Sequence, residues 1–224
     1  YEHHAVACRS CWDGILDAGT QAMVPEDVVN RAWRTTLIAN HMLISGSRMC
    51  YSAHNQYEGI YIGEGGDAVR ALLLWGHAAT ARELIPTLFD YSRKGLEYHQ
   101  AGFKLQMLAH CSRLTQDQES LQQQRSRWQP EIDRILARRE PASGLFPRER
   151  YCGDIPTPVY SLNSNANAWR ALRDFGSLLT DTVDPELGGR LTQTAAEFRQ
   201  RILAAVEESL FRDTDPPFVP IALF

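Results

Sequence analysis

Apolar residues recur at three- and four-residue intervals along nearly the whole chain, the spacing that gathers them on one face of a helix. Strict alternation, the mark of a half-buried strand, is confined to short connecting stretches, so the pattern predicts an all-α protein. A first helix is expected from Glu2 to Asp17, with Ala5, Cys8, Trp12, Ile15 and Leu16 on one side and Gly19 ending it. Pro25, with Glu26 and Asp27 in the first turn, opens a second that runs to about Ile44. Its buried stripe reads Val28, Val29, Ala32, Trp33, Leu37 and Met42.

A third helix is expected from near Asp67 to Trp75, a turn at Gly76 and His77, then a fourth from Ala79 to Ser92 in which Pro86 predicts a kink. That is an αα-hairpin. Phe103 to Gln116, Glu119 to Arg139, Asn165 to Leu179 and Pro185 to Phe211 follow, Pro130 marking a bend or a junction of two helices. The tail from Thr214 to Pro220 is too rich in proline to be helical and reads as passage into a further element. No strong internal repeat is present. Two long connections remain, Ser45 to Gly66 and Glu140 to Ser164, and ordered connections of that length in a helical domain usually carry function.

The 224 residues suffice for one substantial core, and 44% hydrophobic with 22% charged residues is the balance of a folded chain rather than a disordered one. A net charge of −4 argues against a nucleic-acid partner. The most basic stretch, Arg125 to Arg150, is interrupted by Glu131, Asp133, Glu140 and Glu149. The longest apolar run, Ala71 to Trp75, stops at Gly76, far short of the roughly 18 residues that cross a bilayer, so no membrane partner is expected. The start at Tyr1 reads as a processed or trimmed end.

Five cysteines, at 8, 11, 50, 111 and 152, are odd in number and scattered. They read as mostly free thiols, which slightly favours a cytoplasmic protein. The Cys8-Arg9-Ser10-Cys11 pair has no partner motif and is expected as two half-buried helix thiols rather than a metal or redox site. The histidines lack ligand spacing and no serine sits in a nucleophile elbow, so neither a metal, a cofactor nor a serine nucleophile is expected.

The first long connection gathers Tyr51, His54, Asn55, Gln56, Tyr57, Glu58, Tyr61, Glu64 and Asp67 among glycines 59, 63, 65 and 66. Aromatic faces and paired amides suit stacking and hydroxyl recognition on a sugar ring, and three carboxylates supply acid–base capacity. Glycines would let the backbone approach a ligand. The plainer reading makes Asp67 an N-cap and the glycines turn residues. The second connection sets Glu149, Tyr151 and Asp154 among prolines and aromatics. Glu149, between Arg148 and Arg150, reads equally as a catalytic carboxylate or as part of a surface Arg-Glu-Arg cluster.

Glu64-Gly65-Gly66-Asp67 running into Ala68–Gly76, and Ser143-Gly144-Leu145-Phe146-Pro147 followed by Asn165-Ala166-Asn167-Ala168-Trp169-Arg170-Ala171-Leu172, resemble the six-hairpin (α/α)6 toroid of glycoside hydrolases, as in glucoamylase, glycogen-debranching and α-rhamnosidase-like catalytic domains. The resemblance implies one toroid domain over residues 1–224, or the N-terminal part of one that lacks its last hairpins and needs them or an oligomer partner to complete the fold. It also implies a carbohydrate substrate hydrolysed by two carboxylates at the rim. Asp67 matches the aspartate that holds the innermost sugar, with Gly66 where such enzymes carry arginine. Glu64 or Glu58 is the favoured acid, then Glu149 and Asp154, with Tyr57, Tyr61, Asn55, Gln56, His54 and Tyr151 as sugar contacts. A non-catalytic scaffold binding carbohydrate or protein is the competing class. A toroidal lyase or epimerase with His54, Tyr57 or Tyr61 as base is a third.

Overall fold

The computed structural model describes residues 1–50, 52, 59, 61–137 and 139–224. It divides into two compact units, Tyr1–Asp90 and Tyr91–Phe224. Most residues are helical, as the periodicity predicts, and the few strands are short.

The first unit holds α1 (Glu2–Asp17), α2 (Asp27–Met42), a two-stranded hairpin of β1 (Ile44–Ser45) and β2 (Arg48–Met49), α3 (Ile62–Leu74) and α4 (Ala78–Phe89). The hairpin occupies the start of what the sequence suggests is a loop, and Gly46 turns it with φ of 59°. α3 packs on α4 through Ile62, Val69, Leu72, Leu84, Ile85 and Leu88, the αα-hairpin expected across Gly76. Pro86 lies inside α4, which ends one turn later. The expected stripe of α2 is only partly inward. Leu37 is buried and Trp33 meets Trp75 edge to face, but Val28, Val29 and Met42 are exposed. α1 keeps only Leu16 buried, and Cys8 and Cys11, expected half-buried, are exposed free thiols.

The second unit is built on α5 (Glu97–Thr115), α6 (Gln118–Gln123), α7 (Arg125–Ala137), α8 (Leu162–Asp181) and α9 (Pro185–Ser209). α5 begins six residues before the expected Phe103. It is buried on nearly every side, polar Gln100, Lys104, Gln106 and Ser112 included, so it lacks the one-sided pattern that marks a surface helix. The junction between α6 and α7 falls at Gln124, with Pro130 accommodated inside α7. Asp117, Ser161 and Asp184 cap α6, α8 and α9 by accepting the N–H groups of Ser120, Ser164 and Leu187.

Direction follows from which residues meet. Gly102 faces the Asn167–Ala168 backbone, the Gln106 amide donates to the Asn167 carbonyl, and Arg113 donates to Ser177, so α5 and α8 run parallel. A Cβ on residue 102 would lie 2.9 Å from the Asn167 carbonyl carbon, so glycine there sets the spacing of the two helices. α7 returns along α5, pairing Glu131 with Lys104, and α9 returns along α8, where Gly176 lies against Gly188 and Leu191. Each long central helix thus has an antiparallel return helix, and both central helices begin at the same end.

At that end, β3 (Glu149–Arg150), β4 (Pro158–Ser161) and β5 (Ala222–Leu223) form a small antiparallel sheet. The proline-rich tail is non-helical, as expected, and folds back so that Phe211 stacks on Phe218 and residues 222–223 join β4.

Candidate functional site

Glu149 is the predicted residue with the most distinctive environment. β3 is only two residues long, yet its alternation decides the matter, turning Glu149 inward between exposed Arg148 and half-buried Arg150. The surface Arg-Glu-Arg cluster is therefore corrected. The Arg148 guanidinium lies over the Tyr160 ring at 4.9 Å, and that of Arg150 donates to the Gly153 carbonyl at 3.0 Å. Neither arginine holds the carboxylate between them.

The Glu149 side chain reaches the first turn of α5. Its Oε2 accepts the Tyr98 N–H at 3.2 Å, and Oε1 is buried without a hydrogen-bond partner. Burial pushes the carboxyl up from an ordinary 4.5 to about 7, and the charge of Glu97 adds to the rise. The Ser164 hydroxyl and the N–H groups of Tyr98 and His99 act the other way, and burial outweighs them.

Glu149 forms part of the wall of a cavity of about 650 Å³, completed by Gly95, Glu97, Tyr98, Pro130, Asp133, Arg134, Ala137, Pro147 and Arg148. The cavity lies between the start of α5, the end of α7 and the segment leading into β3. Its floor is ordered by aromatic packing, Tyr98 stacking on Phe146 at 4.3 Å and Phe146 meeting Phe198 edge to face. The sequence does not mark Glu97, Asp133 or Arg134 as site residues: Glu97 precedes the expected helix start at Phe103, and Asp133 and Arg134 lie in a mixed-charge stretch that reads as a solvated helix face. The one available signal was Gly95-Leu96-Glu97, a glycine turn before an acidic first helical turn.

The two motif segments of the second connection meet physically. The Asn165 side chain, 1% exposed, accepts the Phe146 N–H at 3.0 Å and donates to the Ser161 carbonyl at 2.8 Å. It thereby joins the cavity floor to the start of α8. Asn165→Ala leaves two buried backbone groups unpaired and is expected to cost about 2–4 kcal/mol, read as a lowered urea midpoint. A loss below about 0.5 kcal/mol would contradict that role.

The other predicted residues fall elsewhere. Asp154 is exposed and Tyr151 half-buried, and neither is part of the cavity wall. In the first unit, Glu64 and Asp67 are both exposed on α3. That helix starts at Ile62 with Tyr61 as its N-cap, so Asp67 is not a cap and glycines 63, 65 and 66 are helical. Gly65 instead lets α3 approach Leu88 of α4, a Cβ there meeting Leu88 Cδ2 at 3.1 Å. His54, Asn55, Gln56, Tyr57 and Glu58 lie outside the described residues.

Two imidazoles are pushed down by burial. His77 contacts His41 at 4.8 Å and its Nε2 has no partner; His99 leans on Phe103 with Nδ1 buried and unpartnered. Among the described residues no group of three His, Cys, Asp or Glu is placed to hold a metal ion, and no helix is long and apolar enough to cross a membrane. Comparison with protein-family models, curated proteins and solved structures gives no match.

Proposed function

We propose that the chain acts as a glycoside hydrolase of toroid type and that Glu149 is its proton donor. The observation that carries the reading is a buried carboxyl, pushed up to about 7, on the wall of a cavity large enough for a sugar ring. An acid that keeps its proton near neutral pH can pass it to a glycosidic oxygen as the C–O bond breaks. Water then adds to the anomeric carbon, and its proton goes to a second carboxylate. Glu97 and Asp133 share the cavity and are the candidates for that group. Parallel central helices with antiparallel returns also agree with two consecutive hairpins of an (α/α) ring.

The test is release of reducing sugar from a panel of oligosaccharides and aryl glycosides. Glu149→Gln is expected to lower turnover by about 10²- to 10⁴-fold while leaving the circular dichroism spectrum unchanged. Full turnover in that variant, with loss in Glu64→Gln or Asp67→Asn, would move the chemistry to the first connection and overturn the assignment.

A further inference from the structure

Two arginines, one in the cavity wall and one at its rim, are paired with no acid among the described residues. Arg148 belongs to the wall and meets no carboxylate among the described residues; its guanidinium lies over the Tyr160 ring, whose hydroxyl donates to Glu140. Arg150 lies across Gly95, another wall residue, so closely that a Cβ on Gly95 would fall 2.8 Å from Arg150 Cδ. Gly95 takes φ of 82°, and its carbonyl accepts the Arg150 N–H at 2.8 Å, which pins the two segments together.

Arg150 also meets no carboxylate among the described residues, and its Nε is buried without a partner. Its Nη2 and that of Arg93 converge on one neutral acceptor, the Gly153 carbonyl, at 3.0 and 2.9 Å. A Cβ on Gly153 would collide with the Arg93 guanidinium, so glycine is required for that convergence. Exposed Lys94 adds a further cation on the same segment.

The acids nearby are already engaged. Glu97 accepts the Gly95 N–H at 3.0 Å, Asp133 accepts the Gln129 amide at 3.0 Å, and Glu131 is held by Lys104 at 2.8 Å with Arg134 at 3.5 Å. Arg134 is thus beside Glu131, whereas Arg148 and Arg150 are paired with none of these carboxylates. A planar guanidinium fork with no carboxylate opposite is matched by an oxyanion.

We infer that the Glu149 cavity selects a saccharide bearing an oxyanionic substituent, a carboxylate or a sulfate, held by Arg148 with Arg150 behind it at the rim. The saccharide part rests on the glycosidase reading; the anion part rests on the arginines alone.

Calorimetric titration with D-glucuronate, D-glucose 6-sulfate and D-glucose at pH 7 tests it. At least one anionic sugar is expected to bind about tenfold or more tighter than glucose, and which one does so identifies the oxyanion. Arg148→Gln, an exposed position, is expected to abolish that preference, and Arg150→Gln to weaken it, with melting temperature confirming that each variant is folded. Equal binding of the three sugars, no binding of any, or a preference that survives Arg148→Gln would overturn the inference. An anion preference in a protein whose turnover is untouched by Glu149→Gln would leave the binding site standing and remove the catalytic reading. The reverse pattern would do the opposite.

Discussion

Replacing Glu149 by Gln is expected to remove a pH dependence that the native protein shows. Its carboxyl titrates near 4.5 when unfolded and at about 7 when folded, so between those values the folded state holds a proton that the unfolded state has lost. Stability from this group is therefore complete below about pH 4.5 and declines as pH rises through 7. A rise of that size corresponds to about 3 kcal/mol. Urea unfolding of the native protein at pH 5 and pH 8.5 should differ by that amount more than it does in Glu149→Gln, which keeps the shape and cannot ionise. Parallel curves for the two proteins would show that Glu149 is charged throughout. Burial explains the direction, because ionisation places negative charge where water does not reach, and the donors from Ser164, Tyr98 and His99 do not make up that loss.

Lys104 and Glu131 should give the other large effect. Their side chains are 6% and 9% exposed and lie 2.8 Å apart, clamping α5 to α7 directly behind the cavity. Lys104→Met leaves a buried carboxylate with only the more distant Arg134, and Glu131→Leu leaves a buried ammonium with none; either is expected to cost about 3–5 kcal/mol. Lys104→Met combined with Glu131→Leu should recover most of that loss, since two apolar side chains can fill the same space. Urea midpoints of the four proteins form the cycle, and additive losses in the double variant would contradict a coupled pair. The destabilised single variants should also lose ligand binding, because Pro130, Asp133, Arg134 and Ala137 of α7 form one side of the cavity.

The helical class, the hairpin across Gly76 and the non-helical tail were legible because each depends on local spacing and on proline or glycine. α5 was legible only from its middle onward. Gln100, Lys104 and Gln106 look like surface residues in one dimension and are buried through partners distant in sequence, Lys104 by Glu131 and Gln106 by Asn167. The break at Gln124 was hidden for a related reason, Pro130 being the stronger breaker on paper. The sequence offers Glu149 as a candidate but not its protonation, since the flanking arginines suggest ionisation and a two-residue strand sends them away from it. Val28, Val29 and Met42 show the converse, a helical stripe that does not become core. Glu64 and Asp67 stand out in the sequence as carboxylates among the aromatics and glycines of a long connection, Asp67 by resemblance as well, whereas here they stand on a regular helix in the first unit.

Proton donation requires one buried carboxyl to hold its proton at neutral pH beside a sugar-sized cavity. Carbon-13 NMR of protein labelled at glutamate Cδ, titrated from pH 3 to 9 and compared with Glu149→Gln, measures it directly. One resonance moving with a midpoint near 7, and missing from the variant, is the expected result. If every glutamate carboxyl has titrated below about pH 5, Glu149 is an ordinary anion capping α5 and the proposed proton donor does not exist.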